Sequence, residues 1–246
     1  MVKIIMKIVA VYILIMIYSC SGAREFDSSA ISFKQAKKSF SNGKYTRAKS
    51  EFEYIILNDP LSKYATDSYF YIAESKYHLK QYSNAILDYE KYLSLPMREF
   101  TFSTKAEFMI CKSWFNLSND VLRDQTETMI AIDKLQYYIE KESLINYTEQ
   151  ISDMIFQLRN KLAEKKFKTA ELYLQLGQPQ GAEIYFKSIV NEFYDSQYLE
   201  DALLNVAYIK AETDKDAAVY YLETNRSFFE SDDKFKAAIS KIENKQ

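Results

Sequence analysis

Three pairs of alanines constrain this chain more than any other feature. Ala36 and Ala48 are 12 residues apart, as are Ala73 and Ala85, and Ala170 and Ala182. Four residues past the second alanine stands an aromatic (Phe52, Tyr89, Phe186), and three further on a large apolar residue (Ile55, Tyr92, Ile189). Steps of three and four keep side chains on one helical face. The small residues let the two helices of a unit approach closely, and the larger ones pack between units. The chain is therefore expected to be all-α, an α-solenoid of about five helix-turn-helix units. Composition agrees, since 4 Gly and 3 Pro leave little turn chemistry for a many-stranded barrel or sandwich. At 246 residues and 48% hydrophobic, with 21 Tyr and 16 Phe, the chain can build an ample core and does not read as disordered.

The unit resembles the tetratricopeptide repeat, a helix pair of about 34 residues. Pro60 closes the first unit, and Pro96 sits near the same place in the second. On the same ruler a third pair occupies residues 103–117 and 127–140, with Ala131 in the small slot and a long connection at 118–126 between them. A fourth helix is expected at 146–158, its partner running on through 160–176, and another helix at 178–193. Residues 199–211 and 216–227 form a last degenerate pair with Ala207 in the small slot, and 234–243 a terminal cap. Without a Pro- or Ser-rich linker, residues 33–246 read as one domain. The aromatic doublets Tyr137-Tyr138, Tyr220-Tyr221 and Phe228-Phe229 are expected to pack between helices. The charged blocks Lys37-Lys38, Lys165-Lys166 and Asp232-Asp233-Lys234 are expected on solvated faces.

The N-terminus follows a different rule. Lys3 and Lys7 precede an apolar run at 8–18, too short for a comfortable membrane span but suited to a secretory signal. Ser19-Cys20-Ser21-Gly22 follows, and the whole resembles a bacterial lipoprotein signal. The resemblance implies a signal peptide over 1–19, lipidation at Cys20 and a spacer over 20–32. A thioether-linked diacylglycerol with an acylated amine gives two or three chains, enough for stable anchoring where one is marginal. Ser21 after the cysteine implies the outer membrane, with the protein facing the periplasm. Losing two leader lysines takes the formal charge from −2 to −4. That balance argues against nucleic acid as a partner and leaves the membrane reached through the anchor only. Cys111 has no intramolecular partner and lies in the apolar helical pattern 108–115, so it reads as a buried, inert thiol. His78 is the sole histidine, which disfavours a His-based zinc site or a Ser-His-Asp triad. With the four glycines scattered at turns, the expectation is no enzyme activity, no catalytic or metal site and no cofactor.

The third unit carries a more specific likeness. Residues 120–126 (Asp-Val-Leu-Arg-Asp-Gln-Thr), 131–135 and 162–173 resemble the BamD family, lipoproteins of the outer-membrane β-barrel assembly machinery. The likeness runs over residues 20 to about 230, although 142–144 and 193–195 lack the proline often found there. It implies a scaffold whose N-terminal repeats meet unfolded outer-membrane protein clients. Its C-terminal repeats, with the loop Arg123, Asp124, Gln125 and Thr126, would meet a BamA-like barrel assembly protein, beside other assembly lipoproteins. Another periplasmic repeat lipoprotein, in envelope division or peptidoglycan synthesis, is the alternative. Asp124 with Glu127 equally has the form of a helix N-cap with a reciprocal acidic partner. Arg123 opposes the helix dipole at that point and is the better candidate for a carboxylate contact.

In repeats of this kind the inner faces of the first (A) helices line a groove. The register assigns Phe33, Lys37 and Phe40 to it from the first unit, and Phe70, Glu74, Tyr77 and His78 from the second. Barrel strands end in aromatic-rich alternating sequence, so an extended aromatic peptide suits such a groove. Residues 24–32 folding back, or a purely core role for these rings, are the alternatives. For the anchor, Cys20→Ala is expected to block both lipidation and signal removal. Mass spectrometry of the native N-terminus tests this, and an acylated Cys20 is the expected result.

Overall fold

The computed structural model describes residues 28–96 and 98–244; the leader, Cys20 and most of the spacer lie outside them. Among the described residues eleven α-helices follow one another: α1 (Ser29–Ser41), α2 (Tyr45–Asn58), α3 (Lys63–His78), α4 (Tyr82–Ser94), α5 (Phe100–Leu117) and α6 (Thr126–Ile139) come first. A 3-10 turn at Glu142–Tyr147 leads into α7 (Thr148–Gln175), then α8 (Pro179–Glu192), α9 (Leu199–Lys210), α10 (Lys215–Thr224) and α11 (Asp232–Glu243). Each helix packs chiefly on its predecessor and successor, as in a solenoid. The first helix opens at Ser29, four residues inside the expected spacer, with Ser29 Oγ donating to Asp59 at the end of α2. The fold is thus an all-α, tetratricopeptide-type α-solenoid of five helix pairs with α11 closing the end.

The alanine ruler holds atom by atom. Ala36, Ala48, Ala73, Ala85, Ala170 and Ala182 are all 0% exposed, and so are Phe52, Tyr89, Phe186, Ile55, Tyr92 and Ile189. Ala48, Ala85 and Ala182 each stand in the first turn or so of the second helix of a pair. Five residues before each is a left-handed residue, Gly43 (φ 72°), Lys80 (φ 59°) and Gly177 (φ 68°). The backbone closes identically each time. Lys44 N–H reaches Ser39 O at 3.0 Å, Gln81 N–H reaches Lys76 O at 2.9 Å, and Gln178 N–H reaches Tyr173 O at 2.9 Å. This is the Schellman closure, which satisfies helix-end carbonyls and reverses the chain in two or three residues. Pro179 at the start of α8 fits the first helical turn, where its missing N–H costs nothing.

The fourth unit departs from the expected parsing. The helix expected to end near 158 continues to Gln175, because Leu158-Arg159-Asn160 contains no breaker. The first half of α7 buries Ile151, Met154 and Leu158 in the core shared with α3–α6. Its second half gives Ala163 and Ala170 to the core of α8 and α9. Among the aromatic doublets only the second residue turns inward: Tyr138 and Phe229 are buried and Tyr221 half-buried, while Tyr137 and Tyr220 are exposed. Adjacent helical residues point about 100° apart, so both cannot face one core. The Lys165-Lys166 block is not simply solvated either. Lys166 Nζ donates to Ser188 Oγ at 2.7 Å, and Lys165 grips the third-unit loop described below.

Lys80 is the one non-glycine at positive φ among the described residues. A left-handed L-residue costs about 1–2 kcal/mol, partly offset in glycine by its greater unfolded-state entropy. Lys80→Gly is therefore expected to stabilise the chain by about 0.5–1 kcal/mol, read as a raised urea midpoint with unchanged slope.

Candidate functional site

The side chains assigned to the N-terminal groove divide into two groups. Phe33 is half-buried among Phe52 (5.6 Å between centroids), Tyr64 (5.4 Å) and Tyr71 (5.7 Å). Phe40 meets Tyr45 at 5.3 Å, Tyr71 at 5.5 Å and His78 at 5.6 Å. His78 itself lies flat on Tyr45, 4.4 Å away. The Lys37 ammonium stands 5.4 Å above the Tyr71 ring. Tyr71, absent from the expected set, is the hub of this aromatic surface.

Phe70 and Glu74 are corrected out of the groove. Phe70 is 1% exposed and stacked on Phe102 at 4.8 Å. Glu74 is 4% exposed, accepting from Tyr89 Oη at 2.6 Å and from Lys105 Nζ at 2.9 Å. Burial, with the neighbouring Glu74 charge, pushes the Tyr89 hydroxyl well above its ordinary pKa, so it remains a donor. The stripe 70–74–77 on α3 does exist, but Phe102 and Lys105 of α5 cover its first two turns. It emerges only at Tyr77.

Beyond Tyr77 the first helices of three consecutive units frame an open cleft of about 580 Å³. One wall is Tyr77 from α3 with Phe108, Lys112, Phe115 and Asn116 from α5. The facing wall, from α7, is acidic and amide-bearing, with Glu149, Gln150, Asp153 and Gln157 around Met154. Lys112 Nζ sits between two rings, 5.6 Å from Tyr77 and 5.9 Å from Phe108. Asn116 Nδ2 donates to Tyr77 Oη at 3.3 Å, and Phe108 stacks on Tyr147 at 4.1 Å. Partial burial raises the Tyr77 pKa, so its hydroxyl is a donor across the physiological range. The residues at 108, 112 and 115 share one helical face, a signal present in the sequence but set aside as core around Cys111. Cys111, on the core-side flank of that face, is 0% exposed, its thiol pushed up to about 12 by desolvation.

The third-unit loop is fastened from inside. Gln125 is only 6% exposed; its Nε2 donates to Asp120 O (2.7 Å), Arg123 O (3.1 Å) and Val121 O (3.3 Å). Its Oε1 accepts from Thr128 Oγ1 at 2.8 Å. Gln125 therefore builds the loop and cannot face a partner. From α7, Lys165 Nζ donates to Arg123 O at 2.5 Å, and Lys161 Nζ to Ser118 Oγ. Asp124 Oδ1 accepts from Thr126 N–H at 2.9 Å. Hydrogen bonds from Thr126 hold its carboxyl below the usual carboxylate range. The expected cap does not form: Gln125 takes the N-cap position without a side-chain cap bond, Asp124 reaches only the first helical N–H, and Glu127 Oε2 accepts instead from Asn119 Nδ2 at 2.9 Å. The Arg123 side chain and Leu122, 77% exposed, form the loop's outer surface.

Stacked helix pairs, a polar-aromatic cleft along successive first helices and a pinned surface loop define a helical-repeat scaffold. Among the described residues no helix is long and apolar enough to cross a membrane. The chain belongs to the family described as YfiO: Outer membrane lipoprotein, whose model matches residues 26–238. It is 26% identical over 168 residues to the outer membrane protein assembly factor BamD of Caulobacter vibrioides, covering 67% of this chain and 53% of that protein. With the putative outer membrane protein assembly factor BamD of Aquifex aeolicus it shares 25% identity over 205 residues, covering 80% of this chain and 65% of that one. Both matches thus span less than two thirds of those relatives' lengths. Among solved structures it is similar to a thermophilic TPR protein of Thermus thermophilus (11% identity, TM-score 0.36, 87% of this chain and 98% of that one). A tetratricopeptide repeat protein of Parabacteroides merdae is also similar (11% identity, TM-score 0.28, 88% and 99%).

The loop geometry separates two roles. Gln125→Ala strands the Val121 carbonyl and the buried Thr128 hydroxyl and removes one bond each from the Asp120 and Arg123 carbonyls. It is expected to cost about 1–3 kcal/mol of stability and to speed amide exchange over residues 118–126. Arg123→Glu, altering only an exposed side chain, is expected to leave the melting temperature of the isolated chain within a degree or two.

Proposed function

We propose that the protein is an outer-membrane-anchored, periplasm-facing scaffold in the assembly and insertion of β-barrel outer-membrane proteins. The family match over residues 26–238 supports the setting. The observation that carries the mechanism is the cleft framed by α3, α5 and α7. Tyr77, Phe108 and Phe115 offer rings to an aromatic-rich barrel strand, while Asn116 and the α7 amides offer hydrogen bonds to an extended backbone. Lys112 on one wall and Glu149 and Asp153 on the other orient the peptide by its charges. The client site thus lies one unit further along than the sequence register places it. Phe33, Lys37, Phe40 and His78 form a smaller aromatic surface next to it. The exposed face at Leu122, Arg123, Asp124 and Thr126 is the proposed contact for a barrel-forming assembly partner, its shape preset by Gln125, Lys161 and Lys165.

A labelled peptide ending in an aromatic barrel-strand sequence, titrated against the chain, tests the client site. Tyr77→Ala with Phe108→Ala is expected to cost about 1–3 kcal/mol of affinity per ring, with helical content retained. Phe70→Ala is expected instead to lower stability by about 3–5 kcal/mol, as a buried-core truncation does. Full peptide affinity in the folded double variant would overturn the cleft as the client site.

A further inference from the structure

We infer that the first helix pair carries a second membrane-binding element: a cationic face that docks on an anionic phospholipid surface beside the lipid anchor. The charge distribution points there first. Residues 28–50 hold six lysines and arginines and no carboxylate, whereas residues 51–244 hold 22 cations against 32 carboxylates. In a protein of net negative charge, this segment is positive.

The structure gathers these charges on one side. Lys34, Lys38, Lys44 and Arg47 line a shallow, open depression of about 690 Å³ between α1 and α2, with Ile31 at its edge. Arg47 is held by Glu51 at 2.7 Å, and Lys49, outside the depression, approaches Glu53 at 3.9 Å. Lys34, Lys38 and Lys44 carry no ion pair among the described residues. Lys37 points elsewhere, over the Tyr71 ring. The depression thus presents three uncompensated ammonium groups next to an isoleucine that is 56% exposed. Such a pairing suits a headgroup layer, where the charges meet phosphates and the apolar side chain reaches the acyl boundary.

Chain length fixes the occupant. The inference rests on the anchor reading, in which Cys20 is acylated eight residues before Ser28. Eight extended residues span at most about 28 Å, so α1 is held against the bilayer and its face meets lipid at high effective concentration. A basic patch beside an acyl anchor is a second, reinforcing signal, and each cation near an anionic surface strengthens partitioning about fivefold. The membrane contact therefore extends beyond the lipid anchor alone, and it sets how the solenoid stands on the surface.

The test removes the anchor. A chain beginning at residue 20 with Cys20→Ser, and so without acyl chains, is sedimented with vesicles of phosphatidylcholine alone or with about one third phosphatidylglycerol. Binding is expected only to the anionic vesicles, falling at least about tenfold when salt is raised toward 0.5 M. Lys34→Glu, Lys38→Glu and Lys44→Glu together are expected to weaken it more than about a hundredfold with an unchanged melt. Lys168→Glu with Lys236→Glu, on α7 and α11 and distant from the face, is expected to leave it intact. Equal binding to both vesicle types, or full binding by the triple variant, would overturn the inference. So would capture of an oligoglutamate peptide without vesicle binding, which would assign the face to an acidic protein partner. Vesicle binding by this chain together with an unmodified native Cys20 would sink the anchor reading while leaving the cationic face standing.

Discussion

The whole structure depends on how closely the two helices of each pair approach. That distance is set by alanines with no exposed surface, Ala36 against Ala48, Ala73 against Ala85 and Ala170 against Ala182. A larger side chain at any of these positions would force the helices apart in a close-packed interior. The left-handed closures at Gly43, Lys80 and Gly177 make the approach possible, because they return the chain within a few residues and leave no helix-end carbonyl buried alone. Once the pairs are fixed, Phe52 stacks on Tyr71 of the next unit at 5.1 Å, Tyr89 and Phe186 close their own pairs against Phe70 (5.9 Å) and Phe167 (5.2 Å), and the first helices line up to frame the cleft.

The regular stack would give a uniform groove; α7 breaks the uniformity. As one helix of 28 residues it belongs to two cores and makes a rigid bridge between them. Arg159, near its middle, holds Asp195 through two bonds of 2.7 Å and the carbonyl of Glu192 through a third of 2.8 Å. That bidentate grip holds the Asp195 carboxyl below the usual carboxylate range and pins the corner after α8. On the same helix Lys161 and Lys165 fasten the third-unit loop, and Glu149 and Asp153 line the cleft. The loop's fastening and one wall of the cleft thus stand on the same continuous helix.

What the sequence made legible follows from local periodicity. The alanine spacing located the pairs, and the stripe through residues 70, 74 and 77 was drawn on the correct side of α3. What covered that stripe was not legible, because Phe102 and Lys105 arrive from a helix some thirty residues later. Tyr71 was missed because it points about 100° from the stripe, toward α1 and α2. Gln125 read as a surface residue by type, and only the three carbonyls of its own loop explain its burial. The end expected for the fourth helix came from the repeat length; the residues at 158–160 supplied no reason to stop. Repeat arithmetic thus predicts where units begin and is weakest where two units share one helix.

Several of the rings on the protein's surface are partly exposed. Exposed rings in a row invite self-association. Here lysines stand over several partly exposed rings: Lys37 over Tyr71 at 5.4 Å, Lys91 over Tyr69 at 4.6 Å, Lys112 over Tyr77 at 5.6 Å and Lys241 over Tyr208 at 4.3 Å. Each contact is worth only about 0.5–1 kcal/mol at an exposed site, too little to lock the side chain in place. The ammonium can therefore swing aside for an incoming aromatic side chain and return when it leaves. A second copy of this chain brings its own lysines to the encounter and meets like charge. An aromatic peptide lacking such cations does not. In the proposed function these same weak contacts favour an aromatic client over a second copy of the scaffold.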